Sequence, residues 1–229
     1  MPVSDPARRT ESGAPLLGEP LPVELANTIF RSRDGHGDGL RSPEHLAGWL
    51  AEARPRLDTP LSDQDLLAIG PRELTAGREL RDSLRALLDA VVDQHEPDAD
   101  QVATLNRYAH RAVRWQELSW DPTPRSRVRH DGPAVAAALT EIAQAGVDLF
   151  AGPRRAELRI CDAPGCVLFF VRDHPRRTWC SNGCGNRVRA ARHYRRTTGR
   201  RRSETAQEPV QTFTRRPGKE PEPGPRRHG

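Results

Sequence analysis

The stretch CDAPGCVLFFVRDHPRRTWCSNGC, residues 161–184, contains all four cysteines of the chain. Four residues separate Cys161 from Cys166, and three residues separate Cys180 from Cys184. Two closely spaced cysteine pairs joined by a short linker are typical of structural zinc sites, in which four thiolates occupy the corners of a tetrahedron. The sequence therefore predicts one structural Zn²⁺ ion with these four cysteines as its ligands.

The same cysteines allow other interpretations, which their chemistry disfavours. Two disulfides are one of them, but a reducing cytoplasm keeps thiols free. His174 or His193 could replace one cysteine as a ligand, although four thiolates already complete the coordination. A site closed by four protein ligands leaves no position for a substrate, so we expect the zinc to be structural rather than catalytic.

The residues between and beside the cysteines predict a small treble-clef-like α+β zinc-binding domain. Short runs rich in β-forming residues predict three strands, LRICD (158–162), CVLFFVRD (166–173) and RRTWC (176–180). The second cysteine pair opens a helix, whose N-terminus favours a thiolate. Three aromatic side chains are expected to cover the metal: Phe169, Phe170 and Trp179.

The helix that follows the second cysteine pair is rich in arginine. Its predicted nucleic-acid contacts are Arg187, Arg189, Arg192, Arg195 and Arg196. Helical spacing of three and four puts three of them on one edge of the helix, and the opposite side, which carries Tyr194, is expected to face inward. Neighbouring arginines repel one another unless an anion binds between them, and nucleic-acid phosphate is the obvious anion.

Charge is distributed unevenly along the chain. Residues 1–153 contain 17 arginines and 24 acidic residues, a net charge of −7. Residues 154–202 contain 14 arginines and 3 acidic residues, a net charge of +11. An acidic body joined to a basic module predicts a polyanionic partner, with duplex DNA favoured over RNA. Two other interpretations stay open: the arginines reflect a composition that has a single lysine, or their helix docks on the acidic body.

Residues 20–153 are predicted to form a mainly α N-terminal domain with a small β-hairpin. Apolar residues at helical spacing predict several helices, and Ser62 with Asp65 three residues later predicts a capped helix start. In RWQELSWDPTPRSRVRH (114–130) the pattern changes around a proline-containing turn, which predicts the hairpin. The segment 20–30 is expected to be helical, and the Gly- and Asp-rich segment 31–40 is expected to be a loop.

The proline-rich ends of the chain complete the predicted domain organisation. Residues 1–19 are expected to be a disordered leader and residues 203–229 a disordered tail, with the zinc module at 154–202. The sequence has no run of apolar residues that we expect to span a membrane and no signal segment, which predicts a cytoplasmic protein. Its histidines are scattered singly and no phosphate loop follows a strand, so we expect no enzyme activity.

Residues 159–196, RICDAPGCVLFFVRDHPRRTWCSNGCGNRVRAARHYRR, strongly resemble the CGNR zinc finger. The segment ELANTIF (24–30) resembles the opening of the ABATE domain of stress-induced transcription regulators, with Asn27 and Thr28 at the matching positions. The resemblance implies a bacterial regulator that ligates zinc through its four cysteines and binds DNA. It also implies a helical domain that binds a small-molecule effector or a second copy of the chain. A zinc-stabilised protein-interaction module is the alternative.

Overall fold

The structure is a computed structural model that describes residues 8–9, 14–32 and 35–205. Its first compact unit ends at Arg189, and a second begins at Ala190. The helices are α1 (Leu21–Ala26), α2 (Pro43–Ala53), α3 (Asp63–Leu67), α4 (Pro71–Val92), α5 (Ala99–Ala109), α6 (Ala134–Ala151) and α7 (Asn182–Thr205). The strands are β1 (Arg8–Arg9), β2 (Pro15–Leu16), β3 (Ile29–Ser32), β4 (Gly35–Asp38), β5 (Arg114–Trp120), β6 (Pro124–His130), β7 (Leu158–Ile160) and β8 (Phe169–Val171).

Each strand pairs antiparallel with its neighbour in the chain, which gives four separate two-stranded sheets in the described residues. The fold class predicted from the sequence is confirmed: a mainly helical body with small hairpins precedes a four-cysteine α+β region. The hairpin predicted over residues 114–130 is β5–β6, with Arg114 opposite His130 and Trp120 opposite Pro124.

The starts of α3 and α4 are stabilised by capping contacts, and the one at Ser62 was predicted from the sequence. Helix α3 begins with a reciprocal pair, in which Asp65 N donates to Ser62 Oγ and Ser62 N donates to Asp65 Oδ2. Helix α4 begins at Pro71, whose ring suits the first helical turn, and Glu73 accepts from Gly70 N at 2.9 Å. These contacts satisfy amide groups that a helix start leaves without a backbone partner.

The hydrophobic core lies where α1, α4, α5 and α6 pack together. Gly146 allows α6 to approach closely, because a Cβ there would lie 2.9 Å from Leu84 Cδ2 on α4. The same cluster of buried residues continues without a break into the zinc region as far as Val188. The buried cluster therefore crosses the boundary predicted after Pro153, and the first compact unit ends at Arg189.

Helix α6 corrects the expectation that no apolar run reaches membrane-spanning length. Its 18 residues are long and apolar enough by length and composition alone. More than half of this window is buried inside the protein, against α1, α4 and α5. A helix that is buried at the centre of a helical core is expected to be apolar on most of its surface, which accounts for this apolar run.

The folded part begins before residue 20, so the expectation of a disordered leader over 1–19 is wrong for residues 14–19. Ala14 and Glu19 are buried. The carboxylate of Glu24 fixes this segment, because it accepts from Leu17 N at 3.0 Å and from Glu19 N at 2.8 Å. Residues 1–7 and 10–13 of the predicted leader lie outside the described residues.

The segment 31–40 contributes strand structure rather than a loop alone. Strand β3 pairs with β4, and α1 ends at Ala26 rather than continuing to Phe30. The glycine at position 37 makes the pairing possible, since a Cβ there would lie 2.7 Å from the Phe30 ring. Thr28 closes α1 by donating its hydroxyl to Leu25 O at 2.7 Å.

The third strand predicted in the zinc region, over residues 176–180, is not formed. The chain turns there instead, with Arg177 N donating to His174 O at 2.9 Å and Arg176 N donating to His174 Nδ1 at 3.1 Å. Cys180 N donates a hydrogen bond to Cys161 Sγ, a predicted zinc ligand, at 3.4 Å instead of to the backbone of a neighbouring strand. Metal-site hydrogen bonding therefore replaces strand pairing at this point.

Candidate metal centre

The four cysteine sulfurs converge on one point. Cys166 Sγ lies 3.8 Å from Cys180 Sγ, and Cys184 Sγ lies 3.6 Å and 3.8 Å from those of Cys180 and Cys166. All four sulfurs lie within 4.8 Å of one another, and none of these cysteines is in a disulfide. Zn–S bonds of about 2.3 Å in a tetrahedron put neighbouring sulfurs about 3.8 Å apart. The donor set therefore fits one structural zinc ion, and the prediction of this cofactor is confirmed.

The first cysteine pair is positioned by the β7–β8 hairpin. Cys161 directly follows β7, and its N donates to Leu168 O at 2.9 Å, which extends the antiparallel ladder by one step. The chain then turns back through a bond from Cys166 N to Ala163 O at 2.8 Å. Gly165 has φ +72°, a left-handed conformation that a residue without Cβ adopts most readily. This turn brings both thiols to the same side.

The second cysteine pair is positioned by the start of α7. Ser181 precedes the helix, and its Oγ accepts from Cys184 N at 3.3 Å, as an N-cap does. Cys184 thus lies in the first turn, near the positive end of the helix dipole. A thiolate is stabilised at this position. The two alternative ligands, His174 and His193, are exposed and lie outside the four-cysteine cluster.

Each residue of the CGNR segment after Cys184 has a separate contact. Gly185 lies against Trp179, since a Cβ there would be 2.9 Å from Trp179 Cε3. Arg187 Nη2 donates to Cys184 Sγ at 3.3 Å. Asn186 Oδ1 accepts from Arg189 at 2.6 Å, and this guanidinium lies 5.8 Å from the Trp179 ring centroid. The segment therefore builds the metal environment.

Two of the four thiols, those of Cys166 and Cys184, favour the charged form that zinc requires. By contrast, the hydrogen bond with Cys166 raises the pKa of Cys161, and the hydrogen bond with Cys161 raises the pKa of Cys180. Hydrogen bonds from Cys161 and Cys180 lower the pKa of the Cys166 thiol to about 7. Hydrogen bonds from Cys161 and Cys166 also lower the pKa of Cys184. Zn²⁺ with four thiolates carries two net negative charges. The guanidinium of Arg187 and the N-terminus of α7 offset part of this charge.

The open edge of β8 is covered by side chains from the N-terminal segment. One edge of β8 pairs with β7, and its other edge exposes the N–H and C=O of Phe169 and the N–H of Val171. Asn27 accepts from Phe169 N at 2.8 Å and donates to Phe169 O at 2.9 Å. Glu19 accepts from Val171 N at 2.9 Å. Two buried side chains therefore take the place of a neighbouring strand.

Glu19 also connects the helical body to the loop that carries Cys180. It forms an ion pair with Arg177, whose guanidinium donates to Cys180 O at 3.1 Å and to Val171 O at 3.1 Å. The same guanidinium lies 4.9 Å from the Phe170 ring centroid. Burial raises the pKa of Glu19, while the bonds from Val171 and Arg177 act in the opposite direction.

A third link comes from α4. Arg85 donates to Val167 O at 2.9 Å and to Ala26 O at 3.3 Å, so it joins α1 to the segment before β8. Its guanidinium lies 5.1 Å from the centroid of the Phe169 ring. The Phe169 and Phe170 rings, which were expected to cover the metal, thus each lie beside a guanidinium, those of Arg85 and Arg177. No single sequence motif contains Asn27, Glu19 and Arg85 together, so the local patterns did not reveal this contact.

The predicted nucleic-acid arginines divide into three groups. Arg187 and Arg189 have partners at the metal centre, although both side chains are exposed. In the second unit, Arg192 is exposed, and so is Tyr194, which was expected to face inward. The side chains of Arg195 and Arg196 lie outside the described residues.

Comparisons with known proteins agree with this architecture. Residues 19–153 match the model of the ABATE family, described as "Putative stress-induced transcription regulator". Residues 157–197 match the model of the CGNR zinc finger. A search of curated proteins finds no match. The first match covers more than half of the chain, so both predicted resemblances are confirmed, and the chain belongs to the ABATE family and carries a CGNR zinc finger.

Proposed function

We propose that the chain is a transcription regulator that binds duplex DNA through its zinc module, and that it acts as a binding protein rather than as an enzyme. The observation that carries the proposal is the net charge of +11 over residues 154–202, on a region that begins with a closed zinc centre. Phosphates attract such a charge, and each arginine that meets one releases counterions. A closed four-thiolate site offers no position for a substrate.

Rigidity of the zinc module supports this function. The links through Asn27, Glu19 and Arg85 fix the β7–β8 hairpin to the acidic body, and the four sulfurs fix the start of α7 to that hairpin. A surface that is ordered before binding loses less conformational entropy when DNA arrives. Arg187 and Arg189 stay exposed while their other contacts hold them in place, as preorganised phosphate donors do.

The first prediction concerns Arg192, which is exposed and is not needed at the metal centre. Arg192→Gln should weaken duplex binding roughly three- to tenfold at moderate salt and reduce the salt slope by about one, because one phosphate contact is lost. The measurement is fluorescence anisotropy of a labelled duplex, titrated at several salt concentrations. Arg72→Gln, which removes the same charge from an exposed position on α4, should change neither value.

The outcomes separate the candidate functions. Binding by the wild type with a steep salt slope supports the DNA regulator. Tighter binding of an RNA duplex or hairpin of the same length supports an RNA-binding protein. No binding of either nucleic acid at low salt contradicts the proposal and favours a protein-interaction module, whose interface depends less on salt.

A pocket in the helical body supports a small-molecule effector as a finer part of this proposal. It has a volume of about 470 Å³ and lies between α4, α5 and α6. Its lining is mostly apolar, including Leu105, Val147 and Phe150, and it also contains Arg155 and the polar side chains of Gln94, His95 and Asn106. No ion pair involves Arg155 among the residues that the structure describes. A mostly apolar lining that includes an arginine suits an apolar molecule that carries an acid group.

The pocket is directly connected to the zinc region. Arg155 belongs to the short 3₁₀ helix Pro153–Glu157, which leads into β7. Glu157 pairs with Arg172 just after β8, through its carboxylate at 3.2 Å and through its carbonyl, which accepts from Arg172 N at 2.8 Å. A ligand held by Arg155 would therefore act on the segment that positions the first cysteine pair.

The second prediction tests this pocket with 8-anilinonaphthalene-1-sulfonate, an apolar anion whose fluorescence rises in apolar surroundings. Arg155→Gln should weaken its binding about three- to tenfold, because the sulfonate loses its cationic partner. Arg154→Gln is the matched control, since Arg154 is the neighbouring exposed arginine and does not line this pocket. Equal affinities for the two variants would contradict the role of Arg155.

A further inference from the structure

The β5–β6 hairpin projects from the helical body on a fixed base. Arg114 anchors this base, donating to Thr59 Oγ1 at 2.9 Å and to Gln144 Oε1 at 2.7 Å, and pairing with Glu141 at 2.7 Å. Beyond it, most positions on both strands are exposed. An isolated two-stranded sheet is marginally stable, so an exposed one that is held only at its base suggests that this surface has a partner.

One face of the hairpin is basic. Successive side chains of a strand point to opposite faces, so Arg125, Arg127 and Arg129 share one face of β6. They lie opposite Ser119, Glu117 and Trp115 of β5. The paired strands therefore form a ribbon with a row of three arginines, about 7 Å apart, along one side.

Only one of these arginines is neutralised. Arg129 donates Nε and Nη2 to the two carboxylate oxygens of Glu117, both at 3.2 Å. In the part of the chain that the structure describes, no ion pair involves Arg125 or Arg127. The hairpin is thus a cationic site within a body, residues 1–153, whose net charge is −7. A local charge opposite to that of its domain calls for an anionic partner.

Exposed aromatic residues lie on both faces of the hairpin. Trp115 on the arginine face is 46% exposed, and Trp120 near the turn is 71% exposed and lies on the opposite face with Leu118. Surface tryptophans of this kind are typical of contact surfaces. A two-stranded ribbon has a width that the major groove of B-DNA admits, and arginines on its face reach the phosphates that border the groove.

We propose that the β5–β6 hairpin is a second duplex-DNA contact, in which Arg125 and Arg127 bind backbone phosphates. The inference rests on the proposed function, since it takes the same DNA as the partner, but it assigns the contact to the helical body rather than to the zinc module. Trp115 lies directly opposite Arg129, so its surroundings change when DNA covers this face.

The test is a duplex titration of the Arg125→Gln/Arg127→Gln variant by anisotropy at several salt concentrations. We expect the salt slope to fall by about two and the affinity to fall at least tenfold, because two phosphate contacts are lost. The matched control is Arg41→Gln/Arg72→Gln, which removes two exposed arginines that form no ion pair among the described residues of the helical body. Zinc content and helical circular dichroism should be unchanged in both variants. Tryptophan emission should change on DNA binding, and this signal should be smaller in Trp115→Phe.

Failure of this inference is distinguishable from failure of the proposed function. If wild-type protein binds duplex DNA and Arg192→Gln weakens it while the hairpin variant binds normally, only the hairpin contact is refuted. If the wild type binds no DNA, both proposals are refuted. If the hairpin variant binds DNA normally and Leu118→Ser/Trp120→Ser turns a dimer into a monomer in light scattering, the hairpin is a self-association surface instead.

Discussion

Replacing Cys180 by serine is expected to release the zinc ion and to unfold the region around residues 158–188. Cys180 is buried, and its sulfur lies within 3.8 Å of the sulfurs of Cys166 and Cys184. A serine hydroxyl is not ionised at neutral pH and does not complete a tetrahedron of thiolates. Structural zinc contributes about 10–16 kcal/mol to the folding of zinc-finger peptides, which is as much as the whole stability of a typical domain.

The measurement is the zinc content per chain, determined with a chromogenic chelator after denaturation, together with a thermal unfolding curve. Wild type should carry one zinc ion, and the Cys180→Ser variant should carry far less and unfold at a lower temperature. Thr178→Ser, at an exposed position nearby, should keep both values, and His174→Ala, which removes one of the two alternative ligands, should keep the zinc content. Full zinc content in Cys180→Ser would refute the four-cysteine site, and zinc loss in His174→Ala would indicate a histidine ligand.

Local patterns were sufficient to predict the zinc site and most helices. A tetrahedral site needs only four thiolates on two short turns, so the spacing of the cysteines carries nearly all the information. The capped start at Ser62 and the hairpin over 114–130 are also local, because their hydrogen bonds join residues close in the chain. Even within the zinc region, the strand predicted for residues 176–180 is not formed, because the chain turns at His174 and Arg177 pairs with Glu19 instead.

Local sequence patterns could not predict the long-range polar contacts. Asn27 and Phe169 are 142 residues apart, and Glu19 and Val171 are 152 apart. A buried polar side chain that covers a strand edge leaves no periodicity in the sequence. The sequence therefore predicted that residues 14–19 belong to a disordered leader, although the structure buries Ala14 and Glu19 in the core. The family resemblance marked Asn27 as a special position, and only the structure shows what its amide does.

The second large effect is expected at Asn27, whose amide serves both backbone groups of Phe169. Asn27→Ala should lower the free energy of unfolding by about 2–4 kcal/mol, because it leaves a buried N–H and a buried C=O without partners. It should also speed zinc release to a chelator, since β8 belongs to the hairpin that positions Cys161. Unfolding curves in denaturant and zinc transfer to a chromogenic chelator measure the two effects.

Thr28 is the matched control for this substitution. It is the next residue, it is as fully buried as Asn27, and its hydroxyl donates to Leu25 O at the end of α1 at 2.7 Å rather than to the zinc region. Thr28→Ala should therefore cost about 1 kcal/mol, the value of one hydrogen bond, and leave the rate of zinc release unchanged. If Asn27→Ala and Thr28→Ala have equal effects on stability and neither changes zinc release, Asn27 is only the end of a helix. If only Asn27→Ala speeds zinc release, its amide couples the helical body to the zinc finger.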